Sequence, residues 1–251
     1  MTLAYRDFHY PLNVFMHILT HEEGAVEYLH YGIFEREDEP IRFAQERSTE
    51  MLMKLLPPPP ARILEVGIGI GTTLARLASS GYDAEGITPD EKQIATVRER
   101  HGEEVRVTCS SFETFEAEGT YDCLVFQESS QYIDSSVLFS KAARLSGKIV
   151  VLDEFALEPM NVAGSLHSLD RFLTAAHMNG YAVVEEVDLS ARAAPTIDYF
   201  IKRIPQWKDR LVADLGVTAE QIDDLLRSGR DYREHYRDGT YGYRLMKFSR
   251  A

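Results

Sequence analysis

The pattern of apolar and polar positions divides the chain into three stretches. From 62 to 188, short runs of branched apolar residues alternate with segments of helical period. Positions 62–66, 83–87, 105–109, 122–127, 148–152 and 182–187 read as strands, several of them too continuously apolar to keep a face in water. Positions 72–78, 91–101, 135–145 and 166–178 read as helices between them; Pro89-Asp90 opens the second and Asn179-Gly180 closes the last. Strand alternating with helix predicts an α/β fold, a Rossmann-like sheet with helices on both faces.

Before this core, 12–19 and 25–28 read as short helices. A longer amphipathic helix over 39–56 puts Ile41, Ala44, Met51, Leu52 and Leu55 mostly on one side. Four prolines, Pro57 to Pro60, stop it, because proline cannot donate within a helix. After 188 the period turns helical again over 196–204, 207–215, 219–226 and 231–236, with Thr218 as an N-cap, before a strand at 243–248. The expected organisation is an N-terminal helical lid (1–56), a core (57–188), a helical cap inserted at 189–240, and a seventh strand within 241–251.

The candidate chemistry gathers behind the first strand. Glu65-Val-Gly67-Ile68-Gly69-Ile-Gly71-Thr72 runs from strand through glycines into a helix. Glycines permit a sharp turn and close approach, and the helix N-terminus offers free N–H groups. The carboxylate of Glu65 suits an amino group or a sulfonium better than a pyrophosphate. Counting from Gly67, Thr72 stands where the dinucleotide fingerprint G-x-G-x-x-G needs its third glycine. In an open parallel sheet, ligands bind beyond the carboxyl ends of the strands. The residues just after the strands are therefore Thr88, Pro89 and Gln93; Ser110, Ser111 and Phe112; and the polar run from Gln127 through Glu128 and Gln131 to Tyr132. Glu128 is the first choice for a general base or substrate-orienting carboxylate, and Gln131 the second.

The pattern E-x-G-x-G-x-G resembles motif I of the class I S-adenosylmethionine-dependent methyltransferases. Gly86-Ile87-Thr88 with Gln93 resembles a sub-pattern of cyclopropane fatty acid synthases and of mycolic acid, tocopherol and sarcosine-type methyltransferases. His30-Tyr31-Gly32-Ile33-Phe34 is similar to an aromatic-glycine loop that closes over the cofactor in several of these families. The resemblance implies S-adenosylmethionine as cofactor and S-adenosylhomocysteine as product. Glu65 would then lie near the methionine amino group, the turn from Gly67 and Ile68 to Gly69, Gly71 and Thr72 under its backbone, and Thr88, Pro89 and Gln93 at the adenosine. Ser111 and Phe112 would reach the adenine, Gln127 the sulfonium side, and His30, Tyr31 and Gly32 would cover the methionine end. Tyr31 and His167 join Glu128 and Gln131 as candidate catalytic or substrate contacts; Tyr199, His177 and His235 are further candidates. The usual acidic ribose clamp is replaced by Thr88, and serines stand where a Gly-Asp pair is common. Two other readings stay open: an NAD(P)-dependent oxidoreductase on a similar sheet, and a cofactor-binding protein without catalysis.

Composition narrows the partners. With 251 residues and 44% hydrophobic content, the chain can build one domain or one domain with an insertion. A net charge of −13 without any dense basic run argues against nucleic acid and fits a small-molecule acceptor. Two cysteines, Cys109 and Cys123, sit in strand positions and read as reduced packing residues, which points to the cytoplasm. No apolar run has membrane-spanning length, and the first residues are not signal-like. A homodimer stays an option. His17 and His21 have the i, i+4 spacing of a metal pair but lack an H-E-x-x-H context or a nearby cysteine, so no metal is expected.

Overall fold

The computed structural model describes residues 5–36, 38–158 and 166–250. They form two compact units, Thr49–Ser190 with Thr240–Ala251, and Met1–Ser48 with Ala191–Gly239. The segments before and after the core in sequence thus join in one unit.

In chain order, helices α1 (Leu12–Glu23) and α2 (Ile41–Met53) come first. Strand β1 (Arg62–Val66), helix α3 (Thr72–Ser79), β2 (Asp83–Thr88), α4 (Glu91–His101), β3 (Val107–Cys109), β4 (Cys123–Gln127) and α5 (Ser135–Leu145) follow. Then come β5 (Lys148–Ala156), the two-residue β6 (His167–Ser168), α6 (Leu169–Met178) and β7 (Tyr181–Asp188). The short α7 (Ser190–Ala193), then α8 (Pro195–Leu215), α9 (Ala219–Arg237) and β8 (Tyr241–Arg250) complete the chain.

The main path of the sheet is β3-β2-β1-β4-β5-β8-β7, with β6 beside β5. β1, β2, β3, β4, β5 and β6 run parallel; β8 is antiparallel to both β5 and β7. The order reverses between β1 and β4, so the carboxyl ends of those two strands flank the crevice where such sheets bind ligands. β4 is buried at all five positions and β5 at eight of nine, as strands covered on both faces must be. One apolar cluster, including Leu64, Leu124, Phe126, Phe139, Phe155, Phe172 and Phe248, forms the core of this unit. Side-chain caps fix several helix starts: Asp90 accepts from Lys92 N at 2.8 Å, Asp134 from Ser136 N at 2.9 Å, and the expected cap Thr218 from Gln221 N at 3.1 Å.

Several expectations are corrected. Positions 25–28 form no helix. Helices expected at 196–204 and 207–215 are one, α8, which carries Pro205 through its interior; those at 219–226 and 231–236 are likewise one, α9. β5 does not end at Leu152 but runs on through Asp153 and Glu154, paired along its length with β8.

Candidate functional site

The turn behind β1 is built from backbone that only glycine adopts easily. Gly67, Gly69 and Gly71 all have positive φ, at 78°, 53° and 79°. A Cβ on Gly67 would stand 2.4 Å from the Cβ of Ser129, because the turn after β4 presses against it. There Ser129 Oγ donates to the Val66 carbonyl at 2.5 Å, locking the two turns together. Ile68 is buried, and Thr72 opens α3.

Glu65 lies just inside this turn, 2% exposed, and its Oε2 has no hydrogen-bond partner. Burial pushes its pKa up to about 8, so the carboxyl holds its proton at neutral pH. A buried carboxyl with an unpaired oxygen at a ligand-binding edge is costly for the fold and useful to a ligand that brings a cation.

After β2, Thr88 Oγ1 donates to Gln93 Oε1 at 2.7 Å, which holds the Gln93 side chain back toward the strand end. Pro89 beside them is exposed, and Asp90 caps α4. After β3, the hydroxyls of Ser110 and Ser111 each lie 3.1 Å from Thr114 Oγ1. Phe112 is 2% exposed, packed edge-on against Phe126 with centroids 5.4 Å apart. The amide of Gln127 is paired within the protein. It accepts from Thr73 Oγ1 at 3.0 Å and donates to Thr49 Oγ1 at 3.3 Å, fastening Thr73 of α3 and Thr49 of α2 to β4.

The polar turn after β4 holds several of the candidate residues. Glu128 is the one described non-glycine residue with positive φ, 53°. Such backbone costs a non-glycine residue energy and clusters at functional sites. Tyr243 on β8, fully buried, donates its hydroxyl to Glu128 Oε1 at 2.5 Å. Burial, with Glu128 next, raises the Tyr243 pKa well above its usual value, so the phenol stays a donor. Asp153 inside β5 accepts from Ser130 N (2.9 Å), Ser130 Oγ (2.6 Å) and Gln131 N (3.3 Å), pinning the turn from below. His167 on β6 adds a bond between its Nε2 and the Ser130 carbonyl at 2.9 Å. Gln131 is half-buried, and Tyr132 is 76% exposed. The sequence singled out Glu128, Gln131 and His167, and the fold brings them to one turn. It did not single out Tyr243 or the supporting role of Asp153. Tyr243 stands at the start of a strand read only for its alternation, with no local mark of a role.

His30, Tyr31 and Gly32 belong to the other unit. Gln45 Nε2 donates to the His30 carbonyl at 2.7 Å, and Gly32 N to Thr196 Oγ1 at 3.0 Å. His30 is buried, and its pKa falls to about 4, so it is neutral. A Cβ on Gly32 would stand 2.6 Å from Ala44 Cβ, so only glycine lets the loop lie on α2. Tyr199 donates to Glu23 Oε1 at 3.1 Å within the same unit; His177 is exposed on α6, and His235 lies on α9.

Comparison with known proteins gives three findings. Residues 63–146 match the family model described as a methyltransferase domain. An O-methyltransferase of Pyrenophora dematioidea is 27% identical over 195 residues, covering 67% of this chain and 73% of that protein. Among solved structures, the cyclopropane synthase MmaA2 from Mycobacterium tuberculosis aligns with a TM-score of 0.81 at 16% identity, covering 99% of this chain and 97% of that one. A putative sarcosine dimethylglycine methyltransferase from Galdieria sulphuraria gives 0.75 at 17%, over 88% and 91%. At those identities the two structures speak for the fold.

Proposed function

We propose that this chain is a class I S-adenosylmethionine-dependent methyltransferase that moves a methyl group onto a small-molecule acceptor at the crevice between β1 and β4, a reading supported by its matched domain and its fold. The observation that carries the reading is the unpaired, buried Oε2 of Glu65 ahead of three positive-φ glycines. That donor set fits the cofactor: a carboxylate for its ammonium, an open backbone turn beneath it, and Thr88 with Gln93 for its hydroxyls. When bound, adenosylmethionine supplies a methyl carbon already activated by the sulfonium.

The protein's own work is placement and proton removal. Glu65 gives up its proton to hold a cationic group, which a dry site makes a strong contact. Glu128 takes the proton of the acceptor; the Tyr243 hydroxyl fixes its orientation, and Asp153 with Ser130 fixes the turn that carries it. His167 braces the same turn, and Gln131 and the exposed Tyr132 meet the acceptor. The 27% identical relative is an O-methyltransferase, which makes a hydroxyl acceptor the first to try. No helix of the described residues is long and apolar enough to cross a membrane, and two free cysteines support a reducing, cytoplasmic setting.

Calorimetry with adenosylhomocysteine tests the reading. One site per chain with a Kd on the order of micromolar is expected, weakened at least about tenfold in Glu65→Gln. If the intact protein ignores adenosylhomocysteine, or binds NADH instead, the reading is wrong.

A further inference from the structure

His17 and His21 lie one turn apart on α1, and the fold brings Asp214, at the end of α8, to meet them. One ligand atom from each residue lies within 4.8 Å of the other two. His17 Nε2 stands 2.9 Å from Asp214 Oδ2. That is a hydrogen-bond distance, a few tenths of an ångström short of the roughly 3.4 Å between two ligands that each lie about 2.0–2.2 Å from one tetrahedral zinc, so a small side-chain shift admits the ion. His17 is fully buried, and its second nitrogen, Nδ1, has no partner. Trp207 is stacked on His21 at 4.8 Å between centroids and 21° between planes, so the imidazole is held in place. The Trp207 indole is itself tied down, donating to Glu22 at 2.7 Å.

We propose that His17, His21 and Asp214 form a binding site for a divalent transition metal ion such as zinc, clamping α1 to α8. Two imidazoles and one carboxylate are the ligand set that such an ion prefers, leaving a position for water or a further ligand. The alternative use of Asp214 is as an ordinary acceptor for His17, shared with Arg6 and Arg210. Both arginines are 3.9 Å away with mostly exposed side chains, so they hold it weakly and can swing aside. The expectation of no metal rested on the missing H-E-x-x-H context and the lack of a nearby cysteine, and it had no view of Asp214, which is 197 positions from His17.

Trp207 is the chain's single tryptophan, so the site carries its own reporter. The intact protein, freed of metal, is titrated with Co2+ while its emission is followed, and with Zn2+ by calorimetry and thermal unfolding. One ion per chain, quenched Trp207 emission and a raised Tm are expected. His21→Ala, at an exposed position, should keep the far-UV spectrum and weaken both metals at least about tenfold. Asp214→Asn should do the same. Absence of binding, or binding that both variants leave unchanged, overturns the site and leaves the methyltransferase reading untouched.

Discussion

Glu65 is the residue whose physical state is most distinctive. Its folded pKa of about 8 lies above the ordinary 4.5. The ligand-free fold therefore has its full Glu65 contribution below about pH 4.5 and loses it as pH rises through about 8. Glu65→Gln cannot ionise. At pH 9 urea unfolding should find the variant more stable than the parent by on the order of a few kcal/mol, and at pH 4 nearly equal to it. With adenosylhomocysteine present the ranking should reverse, because the variant has no anion to offer. Tyr243→Phe is the companion test at the other end of the site. Loss of its charge-assisted bond to Glu128 should lower kcat by about tenfold while leaving the KM for adenosylmethionine unchanged. Residues such as Glu65 and Glu128 are legible in the sequence because a glycine turn or a polar run after a buried strand marks them. The packing partners of Phe112 and Gln127 were not legible, because they lie far along the chain: Phe126 for the ring, Thr49 and Thr73 for the amide.

Among elements, β8 matters most for the site. It lies between β5 and β7 and delivers Tyr243 to Glu128. A chain ending at 239 strips the backbone pairing from both neighbours, and buried strands do not tolerate unpaired N–H and C=O groups. Such a truncation should lose the cooperative unfolding transition seen by circular dichroism. Asp153 shows the finer version: in Asp153→Ala the amides of Ser130 and Gln131 lose their acceptor, and their hydrogen exchange should quicken while that of β1 does not. The pair Asp153-Glu154 looked like the end of a strand because two carboxyls interrupt an apolar run. In fact Asp153 finds its donors in the neighbouring turn, and the ladder with β8 continues past it. The same local logic divided α8 at Pro205 and α9 at Gly229, where long helices absorb one poor residue.

For the whole molecule, charge and connectivity set the behaviour. A net charge of −13 should keep the protein off polyanions such as heparin at physiological salt. The residues of the sheet unit are not continuous in sequence, since 191–239 departs from it and returns. Its two junctions are nevertheless neighbours: Leu189 N donates to the Tyr243 carbonyl at 2.9 Å, and Tyr243 N donates to Ser190 Oγ at 3.0 Å. Exit and re-entry thus share one anchored doorway. Nature or an engineer can graft a foreign segment there, of any length whose ends meet, without re-threading a single strand.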